Sequence, residues 1–153
     1  MPHIHERIDF TATALIVHNN TVLLRKHDKY NIWLGPGGHI ENDEDPNQAV
    51  LREIKEEVGL DAKLVGTTVS VYTPDEKDLI PPYFLNRHRI NSTHEHVDMI
   101  YFATVEDPRI TQGENEVSDE LHWFTKEELL DPNLNIKDSI RHYALKALEE
   151  ISR

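Results

Sequence analysis

Glu53, Glu56 and Glu57 sit within little more than one turn of the strongest helix signal in the chain. Asp45 is a natural N-cap, Pro46 suits the first helical position, and Gln48 completes a capping box. The helix is expected to run to Val58, where Gly59 stops it. On a wheel of about 100° per residue, Leu51, Ile54 and Val58 share the face expected to meet the core. The three glutamates share another face, where Ala49 adds little bulk. Two unit charges about 4 Å apart repel by roughly 4 kcal/mol at an effective dielectric near 20. A divalent cation removes that conflict, and an all-oxygen ligand set suits hard Mg²⁺ or Mn²⁺. On an exposed face the penalty falls to a few tenths of a kcal/mol per pair, so the helix taken alone also reads as a solvated acidic surface.

The flanking residues decide between these readings. Gly38 is followed after five residues by Glu44, and after seven more by Arg52-Glu53-Ile54-Lys55-Glu56-Glu57-Val58-Gly59-Leu60. This pattern resembles the Nudix box: Gly, five residues, Glu, seven residues, then Arg-Glu-apolar-x-Glu-Glu-x-Gly-apolar. No position departs from it. Trp33 to Gly37 ahead of the box, and Trp123-Phe124 with a short helix after it, also resemble the family.

The resemblance implies the Nudix fold, an α/β/α sandwich around a mixed β-sheet. It also implies a pyrophosphohydrolase that cleaves a diphosphate linkage in a nucleoside diphosphate derivative by attack of water at phosphorus. Glu53, Glu56 and Glu57 would hold Mg²⁺ or Mn²⁺, with the Gly38 carbonyl as a further ligand. Arg52 would orient a carboxylate through charge-assisted hydrogen bonds. Glu44 would brace the loop–helix junction, and Gly37 and Gly38 would let the backbone approach metal and phosphate. Family members often bring another glutamate into the cleft from the region ahead of the last strand. The acidic stretch from Gln112 to Glu120 offers Glu114, Glu116 and Glu120 there, with Glu116 preferred as metal ligand or general base. Arg25, beside the expected cleft, is the phosphate candidate. The implied partner is a small nucleotide, and the family allows a homodimer. The alternative is a noncatalytic Nudix-like nucleotide-binding module, whose box would normally be damaged at a glutamate. An isomerase of the isopentenyl diphosphate type would need a catalytic cysteine, and the chain has none.

The elements that must position this chemistry read as a single domain over residues 1–153. Strands are expected at Phe10 to Val17, Val22 to Arg25, Leu64 to Tyr72, Phe84 to Ile90, Val97 to Val105 and His122 to Phe124. Gly35-Pro36-Gly37-Gly38 reads as a rigid glycine loop. Thr125 caps a short helix through Leu130, and a terminal helix is expected from Ile136 to Ile151. The order of strands, one central helix, more strands and closing helices points to a mixed-sheet α/β domain.

A net charge of −12 repels nucleic acid, so stable DNA binding is not expected. No apolar run is long enough for a membrane span, and Met1 to Phe10 lacks a signal core. The absence of cysteine excludes disulfides and thiolate sites and suits a reducing cytoplasm, the compartment expected. His94-Glu95-His96-Val97-Asp98 puts two histidines on one side of a strand but offers no evident third zinc ligand, so it reads as a polar strand end. Arg87 and Arg89 read as a solvated strand face, and Tyr83 and Phe84 as packing residues.

Overall fold

Strand β1 (Ile8–His18) is the strand on which the rest is assembled. The computed structural model describes residues 7–27, 31–68, 73–112 and 120–151. Asn19 and Asn20, both at positive φ, turn β1 into the antiparallel β2 (Thr21–His27). Beyond it lie β3 (Ile32–Leu34) and β4 (Gly37–His39), and β4 returns to pair antiparallel with β1 through Ala12 and Gly38. Helix α1 (Pro46–Val58) follows, then the short β5 (Lys63–Leu64). Strands β6 (Phe84–Arg89) and β7 (Glu95–Thr104) form a hairpin whose second strand runs parallel to β1. Strand β8 (Glu120–Phe124) pairs with β2 and leads into α2 (Lys126–Leu129) and α3 (Asp138–Ile151). Parallel β1–β7 pairing beside antiparallel neighbours makes the sheet mixed, as expected.

Strand alternation sends successive side chains to opposite faces. Ala12, Ala14 and Ile16 of β1 join Val50, Ile54 and Val58 of α1 in one buried layer. Leu15 and Val17 join Ile140, Tyr143, Ala144 and Leu148 of α3 in the other. The result is the expected α/β/α sandwich. Among the described residues no helix is long and apolar enough to cross a membrane.

Helix α1 has the expected boundaries because its caps are local. The Asp45 side chain accepts from the Gln48 backbone N–H, and the Gln48 side chain accepts from the Asp45 N–H, each at 2.9 Å. Gly59 at φ 68° donates its N–H to the Lys55 carbonyl at 3.0 Å and ends the helix. Three expectations are corrected. Leu51 is 36% exposed, and Val50 takes its place in the core. The core face is centred on the Val50–Ile54 row, one turn apart, with Leu51 at its edge. Gly37 and Gly38 are not in a loop but in β4: a Cβ on Gly37 would run into the Ala12 carbonyl oxygen, so glycine is what lets this strand lie against β1. Of the strand expected from Leu64 to Tyr72, only Leu64 pairs within β5. Gly66 at φ 149° follows, and residues 69–72 lie outside the described residues.

Gly59 combines a left-handed backbone with a crowded site, since an added Cβ would strike the Thr111 carbonyl oxygen. Gly59→Ala should therefore cost about 1–3 kcal/mol of stability. The measurement is urea unfolding, where the midpoint should fall with the slope unchanged.

Candidate active site

The site is built where α1 crosses β4. Gly38 faces Glu53 so closely that a Cβ there would lie 2.5 Å from Glu53 Oε1. Its missing side chain is the space the carboxylate occupies. Arg52 ties the corner together. Its Nη2 and Nε donate to Glu44 at 2.8 and 3.0 Å, and its Nη1 donates to Glu53 Oε1 and Glu56 Oε2, both at 3.1 Å. Nη2 also reaches the His39 carbonyl at 3.2 Å, which fastens β4 to the helix. Glu44 in turn accepts from the Glu41 N–H at 3.0 Å, and its hydrogen bonds from Arg52 hold its carboxyl below the ordinary glutamate range. Charge-assisted bonds of this kind are the strong ones, and here one guanidinium serves three carboxylates.

The structure brings Glu53, Glu56 and Glu57 together, but in unlike surroundings. Glu56 is half-exposed, Glu53 is largely covered, and Glu57 is only 4% exposed. The wheel places Glu57 away from the core, yet the carboxylate face of α1 is roofed by β4 and β2. Glu57 Oε1 accepts from the Gly37 N–H at 3.3 Å, and Oε2 accepts from Arg25. Arg25, expected beside the cleft as a phosphate contact, thus points its guanidinium at Glu57. Burial pushes the Glu57 carboxyl up to about 8, against the pull of Arg25 and with repulsion from Glu53 added. Buried hard-oxygen donors that repel one another, beside a glycine that leaves room, fit a Mg²⁺ or Mn²⁺ ion.

The other expected residues are placed as follows. Glu116 and Glu114 lie outside the described residues. Glu120 opens β8 and pairs with Lys26 at 3.4 Å on the exposed sheet edge. Arg87 forms a two-point ion pair with Glu95 at 2.7 and 3.1 Å. Tyr83 stacks on Phe102 with centroids 4.1 Å apart, and Phe84 packs on Tyr143. On the α3 side of the same strands lies a cavity of about 630 Å³, lined by Thr13, Leu34, His88, His96, Asp98 and Tyr143 among others. Asp98 accepts from Thr11 and Thr13 at 2.8–3.0 Å, and burial nonetheless raises its carboxyl to about 6. The sequence carries no signal for Asp98, Thr11 and Thr13 as a group, because they meet only through the β1–β7 register.

Residues 9–145 match the NUDIX domain. The crystal structure of a NUDIX-family hydrolase from Clostridium perfringens superposes with a TM-score of 0.85, is 34% identical, and the match covers 94% of this chain and 97% of that one. Among curated proteins, the chain is 30% identical over 104 residues to a probable DHNTP pyrophosphohydrolase of Lactococcus lactis subsp. cremoris, covering 68% of this chain and 58% of that protein. It is 43% identical over 47 residues to an 8-oxo-dGTP diphosphatase of Proteus vulgaris, covering 29% of this chain and 42% of that protein. The chain therefore spans about half the length of these curated relatives.

The Glu57 environment has a measurable consequence. Its folded value lies above the ordinary 4.5, so its contribution to stability is full below that value and is lost as pH rises through about 8. Glu57→Gln removes this dependence. In chelator-treated buffer, urea melts should show the variant gaining on the parent protein between about pH 5 and about pH 9. A difference that stays constant over that range would contradict the burial-driven shift.

Proposed function

The chain belongs to the NUDIX family, and we propose that it is a metal-dependent pyrophosphohydrolase acting on a nucleoside diphosphate derivative. The observation that carries this reading is the gathering of Glu53, Glu56 and Glu57 beside the Gly38 strand, the first two held by Arg52 and the third by Arg25. Similarity to proteins named as a pyrophosphohydrolase and a diphosphatase supports a phosphoric anhydride as the bond that is cut. Glu53, Glu56, Glu57 and the Gly38 carbonyl would hold Mg²⁺ or Mn²⁺, which when bound supplies positive charge against the diphosphate oxygens.

The chain's own groups carry the remaining work. Arg52 holds Glu53 and Glu56 in place without occupying Glu57. Gly37 and Gly38 leave the backbone of β4 accessible to a phosphate. We assign proton removal from the attacking water to Glu116. The water oxygen then ends on one phosphate, and the departing phosphate leaves as the P–O bond of the anhydride breaks. With no cysteine in the chain, a thiol nucleophile is excluded, and direct attack by water is the simpler route.

A panel of nucleoside triphosphates, pterin triphosphates, nucleotide sugars and dinucleotide polyphosphates, scored by product mass with Mg²⁺ and with Mn²⁺, tests the activity. In ¹⁸O-labelled water under single-turnover conditions the label should appear in a phosphate product. Glu53→Gln should lower kcat by about 100-fold or more, and Glu116→Gln should lower kcat with little change in KM. Undiminished turnover of Glu53→Gln, or of the parent protein in excess chelator, would overturn the reading.

A further inference from the structure

The face of β1 turned away from α1 carries a second group of ligating side chains. Strand register builds it. Thr11 of β1 pairs with His39 of β4, Asp9 of β1 pairs with His96 of β7, and His96 pairs with His88 of β6. Directly paired residues share a face of the sheet, and so do residues two apart along a strand. Asp9, His39, His88 and His96 therefore project to the same side. His94 joins them from the turn before β7, where its carbonyl accepts the N–H groups of Ile90 at 2.9 Å and Asn91 at 3.2 Å. The Glu95 N–H donates to the Arg7 carbonyl at 2.7 Å, which locks this turn to the start of β1.

The distances are short enough for one ion to be shared. His94 Nε2 lies 3.1 Å and His39 Nε2 lies 3.5 Å from Asp9 Oδ2. One ligand atom each from Asp9, His94 and His96 fall within 4.8 Å of one another. The His96 ring stands 4.9 Å from that of His39 and 5.3 Å from that of His94, centroid to centroid, nearly perpendicular to both. Tetrahedral zinc with bonds of about 2.0–2.1 Å holds its ligand atoms about 3.3 Å apart. The two nitrogen–oxygen separations bracket that value.

We propose that Asp9, His94 and His96 form a site for a transition-metal cation of the Zn²⁺ type, with His39 beside the aspartate at its edge, separate from the glutamates of α1. Nitrogen-rich imidazole sets select such ions over Mg²⁺, which prefers oxygen. The two sites lie on opposite faces of the β1–β4 pair. Gly38, beside Glu53, shares a face with Ala12, whereas His39 shares one with Thr11.

An ion pair between Asp9 and one protonated histidine is the competing arrangement. The Asp9 side chain is 2% exposed and the His94 side chain 6%, and a carboxylate so deeply buried needs a compensating charge. One imidazolium would meet that need. It does not by itself account for His39, His94 and His96 all standing around one carboxylate.

The experiment uses the full chain, stripped with chelator and dialysed into metal-free buffer. Zn²⁺ is titrated against a chromophoric chelator in the presence of excess Mg²⁺, which occupies hard-oxygen positions. One Zn²⁺ per chain is expected to bind and to raise the melting temperature. Glu53→Gln/Glu57→Gln should retain it. His94→Ala and His96→Ala should weaken it by more than about 100-fold, beyond what loss of an outer-shell partner causes. Co²⁺ bound to the Glu53→Gln/Glu57→Gln protein should show the intense visible absorption of four-coordinate cobalt, bleached by Zn²⁺. That spectrum decides the matter even if the histidine variants fail to fold. Absence of Zn²⁺ binding under excess Mg²⁺, loss of Zn²⁺ in the glutamate variant, or only the weak spectrum of six-coordinate Co²⁺ would each overturn the proposal.

Discussion

The site depends on holding like charges together at short range. Glu44, Glu53 and Glu56 all bond to Arg52, and Glu57 bonds to Arg25. Without these cations the carboxylates would repel one another by several kcal/mol in a partly buried setting. The two arginines come from different layers, Arg52 from α1 and Arg25 from β2. The same contacts that relieve the repulsion therefore fix the helix over the sheet. They also rank the carboxylates. Glu56 keeps much of its contact with water, whereas Glu57 is enclosed and depends on Arg25 and the Gly37 N–H for its partners.

This arrangement works only because β4 lies flat on β1. A side chain at Gly37 would meet the Ala12 carbonyl, and one at Gly38 would displace the Glu53 carboxylate. Two adjacent glycines thus face opposite obstacles, one the neighbouring strand and the other the helix. Strand β1 is consequently read from both sides. Toward α1 it offers small residues, Ala12 and Ala14, that let the helix approach. Toward α3 it offers Asp9, Thr11 and Thr13, whose partners come from β4, β7 and the turn before β7.

What the sequence makes legible follows the range of the interaction. The ends of α1 are legible because Asp45, Gln48 and Gly59 act within one turn of the backbone they cap. The three box glutamates are legible because helical spacing alone brings them together. The burial of Glu57 is not, since a wheel gives direction but not what roofs that direction. The pairing of Arg25 with Glu57 is hidden for the same reason, because it joins β2 to α1 across the fold. Strand β4 is hidden by its glycines, which signal a turn when their neighbour strand is unknown. The histidines show the limit most clearly. His94 and His96 read as a polar strand end because no third ligand is evident, and Asp9 and His39 become their neighbours only through the registers β1–β7 and β1–β4.

The two faces of β1 also differ in kind of donor, and that difference bears on how one small domain could keep two cations apart. The α1 side presents carboxylate and carbonyl oxygens around a glycine, with Glu56 open to water. A Mg²⁺ ion, which gives up its waters reluctantly, suits a site with one open flank. The opposite side presents imidazoles against a buried aspartate, at the edge of the cavity lined by His88 and His96. Zinc accepts imidazole and carboxylate ligands of this kind readily. Raw affinity would favour zinc at both places. Selectivity must then rest on the Mg²⁺ excess at the carboxylate face and on the imidazole donors of the histidine face. Gly38 and His39, adjacent in β4, mark the boundary between them: alternation along one short strand turns the first toward the carboxylates and the second toward the imidazoles.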